Sequence, residues 1–113
     1  MRLTDFEIET ITSLARRHFG DDARVYLFGS RTDDSKRGGD IDLFISNKNE
    51  NLLTLNAKIH FLVELKKRIG DQKIDVVFDN VCTRQKKSFY HSICAKRIDL
   101  SIAYNKNIKL NFV

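Results

Sequence analysis

The stretch Val25-Tyr26-Leu27-Phe28-Gly29-Ser30 is followed, after nine residues, by Asp40-Ile41-Asp42-Leu43-Phe44-Ile45. A Gly-Ser turn thus ends one apolar run, and two carboxylates at i and i+2 open the next. In a strand, successive side chains point to opposite faces, so Asp40 and Asp42 share one face while Ile41, Leu43 and Ile45 share the other. Two acids about 7 Å apart along a strand face repel each other unless a cation lies between them. Hard carboxylate oxygens on a rigid strand suit Mg²⁺, which is typically held by one or two carboxylates together with substrate phosphates. The Gly-Ser turn offers backbone N–H groups free of a bulky side chain, and a hydroxyl, both suited to phosphate. The bland alternative for Asp40 and Asp42 is a polar strand face open to water.

Outward from that stretch, residues 4–19 read as a helix. Thr4-Asp5-Phe6-Glu7 has the form of a capping box with Leu3 stapled onto Ile8, and Leu3, Phe6, Ile11, Leu14, Ala15 and Phe19 recur at helical spacing. Residues 24–28 read as a buried strand, Gly29 to Gly39 as a polar loop, and 40–46 as the second strand. A long helix is predicted over 52–69, with Leu52, Leu55, Ile59, Leu62, Val63 and Ile69 on its inner face. Lys66, Lys67 and Arg68 favour the negative end of its dipole, and Gly70 ends it. Residues 73–78 read as a third strand and 85–96 as a helix with Phe89, Ile93 and Cys94 inward. The tail from Arg97 alternates through Ile98, Leu100, Ile102 and Tyr104 as a further strand. The order helix, strand, strand, helix, strand, helix describes an α+β fold: a small mixed β-sheet with helices packed on one face.

Asp75 lies between Ile74 and Val76 in the third strand. A carboxylate among apolar neighbours is costly to bury unless paired or metal-bound. If the third strand runs beside the second, Asp75 joins Asp40 and Asp42 on one face; otherwise it sits at an exposed edge or pairs with a lysine.

With these residues in view, Gly29-Ser30, nine residues, then Asp40-Ile41-Asp42 resembles the signature of nucleotidyltransferases related to DNA polymerase β. The closest likeness is to the minimal nucleotidyltransferases, over roughly residues 20–80 and more weakly to about residue 100. The resemblance implies a polymerase β palm-like nucleotidyltransferase core with its site on the open face of the sheet. It implies Asp40, Asp42 and Asp75 as catalytic and metal-binding acids, with Gly29 and Ser30 on the terminal phosphates. Arg31 follows directly; it either neutralises the triphosphate or sits in solvent. Lys36 and Arg37 lie in the loop before Gly38-Gly39, which stands where related sequences often carry a serine.

Two Mg²⁺ ions are expected, with ATP as substrate. Two metals stabilise the entering and leaving oxygens of an in-line displacement at phosphorus, and Asp75 is the candidate to deprotonate the acceptor hydroxyl. Proteins of this minimal kind typically work with a separate all-helical HEPN partner, many as toxin and antitoxin, the transferase placing AMP on a partner tyrosine. The resemblance therefore implies a protein adenylyltransferase and antitoxin, in a homo- or hetero-oligomer. Two other readings are a non-catalytic subunit that masks its partner, and transfer to a small molecule or nucleic acid.

The 113 residues fit one domain, 1–113. With 42% hydrophobic and 31% charged residues the composition is that of a globular protein. Net charge is +5, which suits an anionic partner such as a nucleoside triphosphate. No run approaches the roughly 18 apolar residues of a membrane span, and Met1-Arg2-Leu3-Thr4-Asp5 lacks the apolar stretch of a leader, so a cytoplasmic location is expected. Cys82 and Cys94 have no metal-ligand spacing and read as free thiols. His18, His60 and His91 do not cluster. No P-loop and no Gly-x-Gly-x-x-Gly occurs. The late basic residues, with Phe89 and Tyr90 among them, give a nucleic-acid surface only weak support.

Overall fold

A computed structural model describes residues 1–35 and 38–102. Helix α1 (Asp5–Phe19) leads into β1 (Arg24–Phe28), a 3₁₀ turn at Gly29–Thr32 and β2 (Ile41–Ser46). A second 3₁₀ turn (Glu50–Leu52) precedes α2 (Leu55–Ile69). Then come β3 (Ile74–Phe78), α3 (Val81–Gln85), α4 (Lys87–Lys96) and the two-residue β4 (Ile98–Asp99).

The capping box forms as expected. Thr4 Oγ accepts from the Glu7 N–H, and Glu7 Oε1 accepts from the Thr4 N–H. The two reciprocal bonds satisfy donors that the first helical turn leaves open. Thr54 caps α2 through the Ala57 N–H, so that helix starts at residue 55 rather than 52.

The sheet order is β3-β2-β1-β4. β1 is antiparallel to β2 and to β4, whereas β3 runs parallel to β2. The sheet is therefore mixed, as expected. α1 and α2 pack on the face carrying Val25, Leu27, Ile41, Leu43 and Ile45, all buried. Phe19 meets Phe61 of α2 at 5.1 Å and Phe78 of β3 at 5.4 Å between ring centroids. This aromatic contact ties both helices to the sheet.

The opposite face is only partly open. α4 lies against it, with Tyr90 on Phe44 and Phe89 on Phe28. Arg97 stacks over Tyr26, 4.1 Å from the ring centre. Phe44 is fully buried by this cover, and the space for a ligand is confined to the part of the face near the end of β1 and the start of β2.

Three local expectations change. The helix read over 85–96 is α4, which starts at Lys87 and leaves Phe89 41% exposed, and the short α3 before it was not expected. The tail pairs as a strand only at Ile98–Asp99 and then turns helical through Ile102; Tyr104 lies outside the described residues. The inner face of α2 is only partly the one that apolar spacing selects: Leu62 and Ile69 pack against the core as expected. Phe61 and Leu65 are buried, while Leu55, Ile59 and Val63 are 69%, 50% and 51% exposed. Likewise Phe6 of α1 is 59% exposed and Ile8 takes the core position. In both helices the sequence carries apolar residues on more than one face, and packing against the sheet selects between them.

Candidate active site

The site is built where β1 ends and β2 begins. Phe28 pairs across the antiparallel ladder with Asp42, so the Gly29-Ser30 turn starts beside the Asp42 side chain. Gly29 has φ +75°, a conformation natural to glycine. A Cβ built there would overlap the Asp42 carboxylate. Glycine is thus required twice, by backbone conformation and by the closeness of the acid.

The parallel register sets Asp42 directly opposite Asp75. The side-chain contact between them is close enough to be a hydrogen bond. Asp40 stands two residues before Asp42, on the same face, and opposite Lys73. Its Oδ2 lies 3.4 Å from the Lys73 ammonium, while Lys73 O accepts from the Ile41 N–H. Burial raises the Asp42 pKa above the ordinary carboxylate value, and the negative charges of Asp75 and Asp40 push it further; Lys73 opposes them. The adjacency of the second and third strands, left open by the sequence, brings the three acids to one region of one face.

The loop after Ser30 returns to the same place. Gly39 has φ +91°, and a Cβ there would overlap Ser30 Oγ. A serine in this position would displace the hydroxyl. The loop is held from behind by Arg2. Its guanidinium donates to the carbonyls of Ser30, Asp33 and Gly38 at 2.7–2.9 Å. Arg31 is used in the same support: it donates to the carbonyls of Arg2 and Gly39 and to Gln72 Oε1. Gln72 in turn donates to Glu7. Arg31 lines neither of the hollows described below, and its hydrogen bonds are with the scaffold. Lys36 and Arg37 lie outside the described residues.

Two hollows flank the Phe28–Phe89 contact. One, about 870 Å³, is lined by Gly29, Ser30 and Thr32 together with Ser92 and Lys96 of α4. The other, about 570 Å³, is lined by Asp42 and Asp75 and reaches past the outer edge of β3 to Lys58 and Leu62 of α2. The first combines the turn's backbone and hydroxyls and Lys96 with the carboxylates of Asp33 and Asp34, the latter paired with the Met1 ammonium; the second has Asp42 and Asp75. Sequence reasoning missed Arg2, Lys73 and Lys96 as parts of this region. Lys73 alone had a usable signal, since it precedes Asp75 by the interval at which Asp40 precedes Asp42.

The donor set is all carboxylate oxygen, the chemistry of a Mg²⁺ site, and the raised Asp42 pKa marks a place where positive charge is welcome. Among the described residues, no group of three or more His, Cys, Asp or Glu is gathered as a ready-made metal cage. Asp40 is instead paired with Lys73. No helix among the described residues is long and apolar enough to cross a membrane.

The family model described as "Polymerase beta, Nucleotidyltransferase" matches residues 9–102. That span holds Gly29, Ser30, Asp40, Asp42 and Asp75. No curated protein matches the chain.

Proposed function

This chain belongs to the polymerase β nucleotidyltransferase family, and we propose that the nucleotide it transfers is AMP, taken from ATP and delivered to a hydroxyl of a separate helical protein of the HEPN type. The observation that carries the reading is the register that faces Asp42 with Asp75, beside a glycine that only a missing side chain allows so near the acid.

In this reading the backbone of Gly29 and the Ser30 hydroxyl bind the terminal phosphates, and Lys96 across the hollow offsets their charge. Asp40, Asp42 and Asp75 would hold Mg²⁺, with Asp40 released from Lys73. When bound, the ion would supply the positive charge that the transferring phosphoryl group and the three acids both require. Asp75, on the strand at the sheet edge, takes the proton of the acceptor hydroxyl. The acceptor oxygen bonds to the α-phosphorus, the bond from that phosphorus to the bridging oxygen breaks, and pyrophosphate leaves. The choice of a helical protein as acceptor, and of an antitoxin role, rests on the likeness to minimal nucleotidyltransferases.

The test is ATP labelled at the α-phosphate, incubated with Mg²⁺, this protein and a candidate HEPN-type helical partner, with an Asp40→Ala/Asp42→Ala control. Label on the partner, absent in the control, is the expected outcome. A tight complex without label would replace the reaction with a binding-only role.

A further inference from the structure

α2 carries an apolar stripe that no described residue covers. Leu55, Ile59 and Val63 recur at four-residue spacing, so they lie along one face of the helix. Each is half or more exposed. The buried residues Phe61 and Leu65 point to the sheet, and Glu64 points to α1, where it meets Arg17 and His18.

The stripe is continuous with the acid-lined hollow. Lys58 and Leu62 belong to that hollow. They immediately precede Ile59 and Val63, which places the exposed stripe next round the helix from the hollow's wall. A molecule seated on Leu55, Ile59 and Val63 therefore lies beside the opening that leads to Asp42 and Asp75.

The flanks are basic. By helical spacing Lys58 borders the stripe on the site side, Lys67 borders it on the other, and Lys66 continues its line at the C-terminal end. The helix has one acid, Glu64, already engaged with α1. A second copy of α2 would bring lysines against lysines, so self-pairing is opposed by like charge. An amphipathic helix with an apolar stripe and acidic flanks matches both features. Nucleic acid would satisfy the lysines and leave the three aliphatic side chains without a partner.

We infer that the exposed face of α2 is the docking surface for the acceptor protein, which seats an acid-flanked amphipathic helix on Leu55, Ile59 and Val63 and so presents its hydroxyl at the hollow containing Asp42 and Asp75. The inference rests on the reading of the acceptor as a protein.

The test uses two synthetic twenty-residue helical peptides with the same leucine stripe, one flanked by glutamates and one by lysines, labelled with a fluorophore. Binding to the full chain is read by anisotropy and compared with an Ile59→Glu/Val63→Glu variant. Both positions are exposed, and unchanged circular dichroism and melting confirm that the variant folds. The expected result is binding of the glutamate-flanked peptide, weakened at least tenfold by the double substitution, with no binding of the lysine-flanked one. Equal binding of both peptides, or binding untouched by the substitution, overturns the inference. So does a concentration-dependent dimer that the substitution abolishes, or displacement of the peptide from the stripe by a single-stranded oligonucleotide. The assay contains no nucleotide, so it reads docking apart from transfer. Failed labelling with intact docking counts against the reaction, and failed docking with intact labelling counts against the surface.

Discussion

Asp42 and Asp75 face each other across two parallel strands, and the Asp42 carboxyl has its pKa raised by burial and by the charge of its neighbour. Such a pair works against folding whenever both groups are ionised and no cation is present. The raised pKa means that the folded protein binds the Asp42 proton more tightly than the unfolded chain does. The penalty is therefore full above the folded pKa and fades as pH falls through it towards the unfolded value.

The Asp42→Asn protein should accordingly melt at a higher temperature than wild type at pH 7 without divalent cation. Its advantage should shrink on acidification. Saturating Mg²⁺ should raise the wild-type melting temperature and leave the variant nearly unmoved, because only the carboxylate gains from the ion. Transfer should fall by at least about a hundredfold, the scale seen when one charge-stabilising group is removed from a reacting centre. Thermal melts across pH, with and without Mg²⁺, check this; a variant that melts below wild type at pH 7 would contradict the repulsion.

Gly29→Ala meets two obstacles. A positive φ costs an L residue roughly 1–2 kcal/mol, and the added methyl overlaps the Asp42 carboxylate. The expected outcome is a lower melting temperature together with loss of transfer beyond what the stability change explains. Gly70→Ala is the control. It shares the positive φ, at +96°, but has nothing within reach of its Cβ, so it should lower stability and spare transfer.

Arg2→Ala removes three donors from the carbonyls behind the Gly29–Gly39 loop. These carbonyls then turn to water, and the phosphate-facing side of the loop loses its support. The KM for the nucleotide should rise about fivefold, equivalent to roughly 1 kcal/mol, with a smaller change in kcat. Arg2→Lys should not restore it, because one ammonium cannot reproduce the planar fork of the guanidinium. Steady-state kinetics on the two variants decide the matter.

Lys73→Ala frees Asp40 from its ion pair with the ammonium. The lysine is largely exposed, so the pair is worth about 0–1 kcal/mol. Mg²⁺ affinity should rise by about threefold at low ionic strength, within that range, and the gain should shrink in high salt as the charges are screened. Titration calorimetry with Mg²⁺ at two salt concentrations tests it.

Much of the region was readable along the chain because its signals are local. The capping box at Thr4 and Glu7 spans one helical turn. The Gly29-Ser30 turn and the Asp40-x-Asp42 alternation depend only on strand geometry within a few residues. The surroundings of Arg31 were not readable, for the opposite reason. Adjacent to the turn in sequence, it was left open between the triphosphate and solvent; its guanidinium donates to Arg2, Gly39 and Gln72. Two of these three come from distant parts of the chain.

The sequence by itself determined the α+β order of the main elements, the α1 capping box, the glycine that ends α2, and the two acids on one strand face with a glycine-serine turn before them. Backbone stereochemistry and side-chain periodicity act over a few residues and leave their mark in composition. Only the tertiary structure decided that β3 runs parallel beside β2 with Asp75 opposite Asp42. It also decided that Arg2 braces the loop, that α4 covers Phe44, and that α2 turns Phe61 and Leu65 inward while Leu55, Ile59 and Val63 face out. A helix with two apolar faces satisfies the same periodicity either way up. Which face is buried depends on the volume that the sheet and α1 leave to be filled, and that volume exists only once the strands have paired.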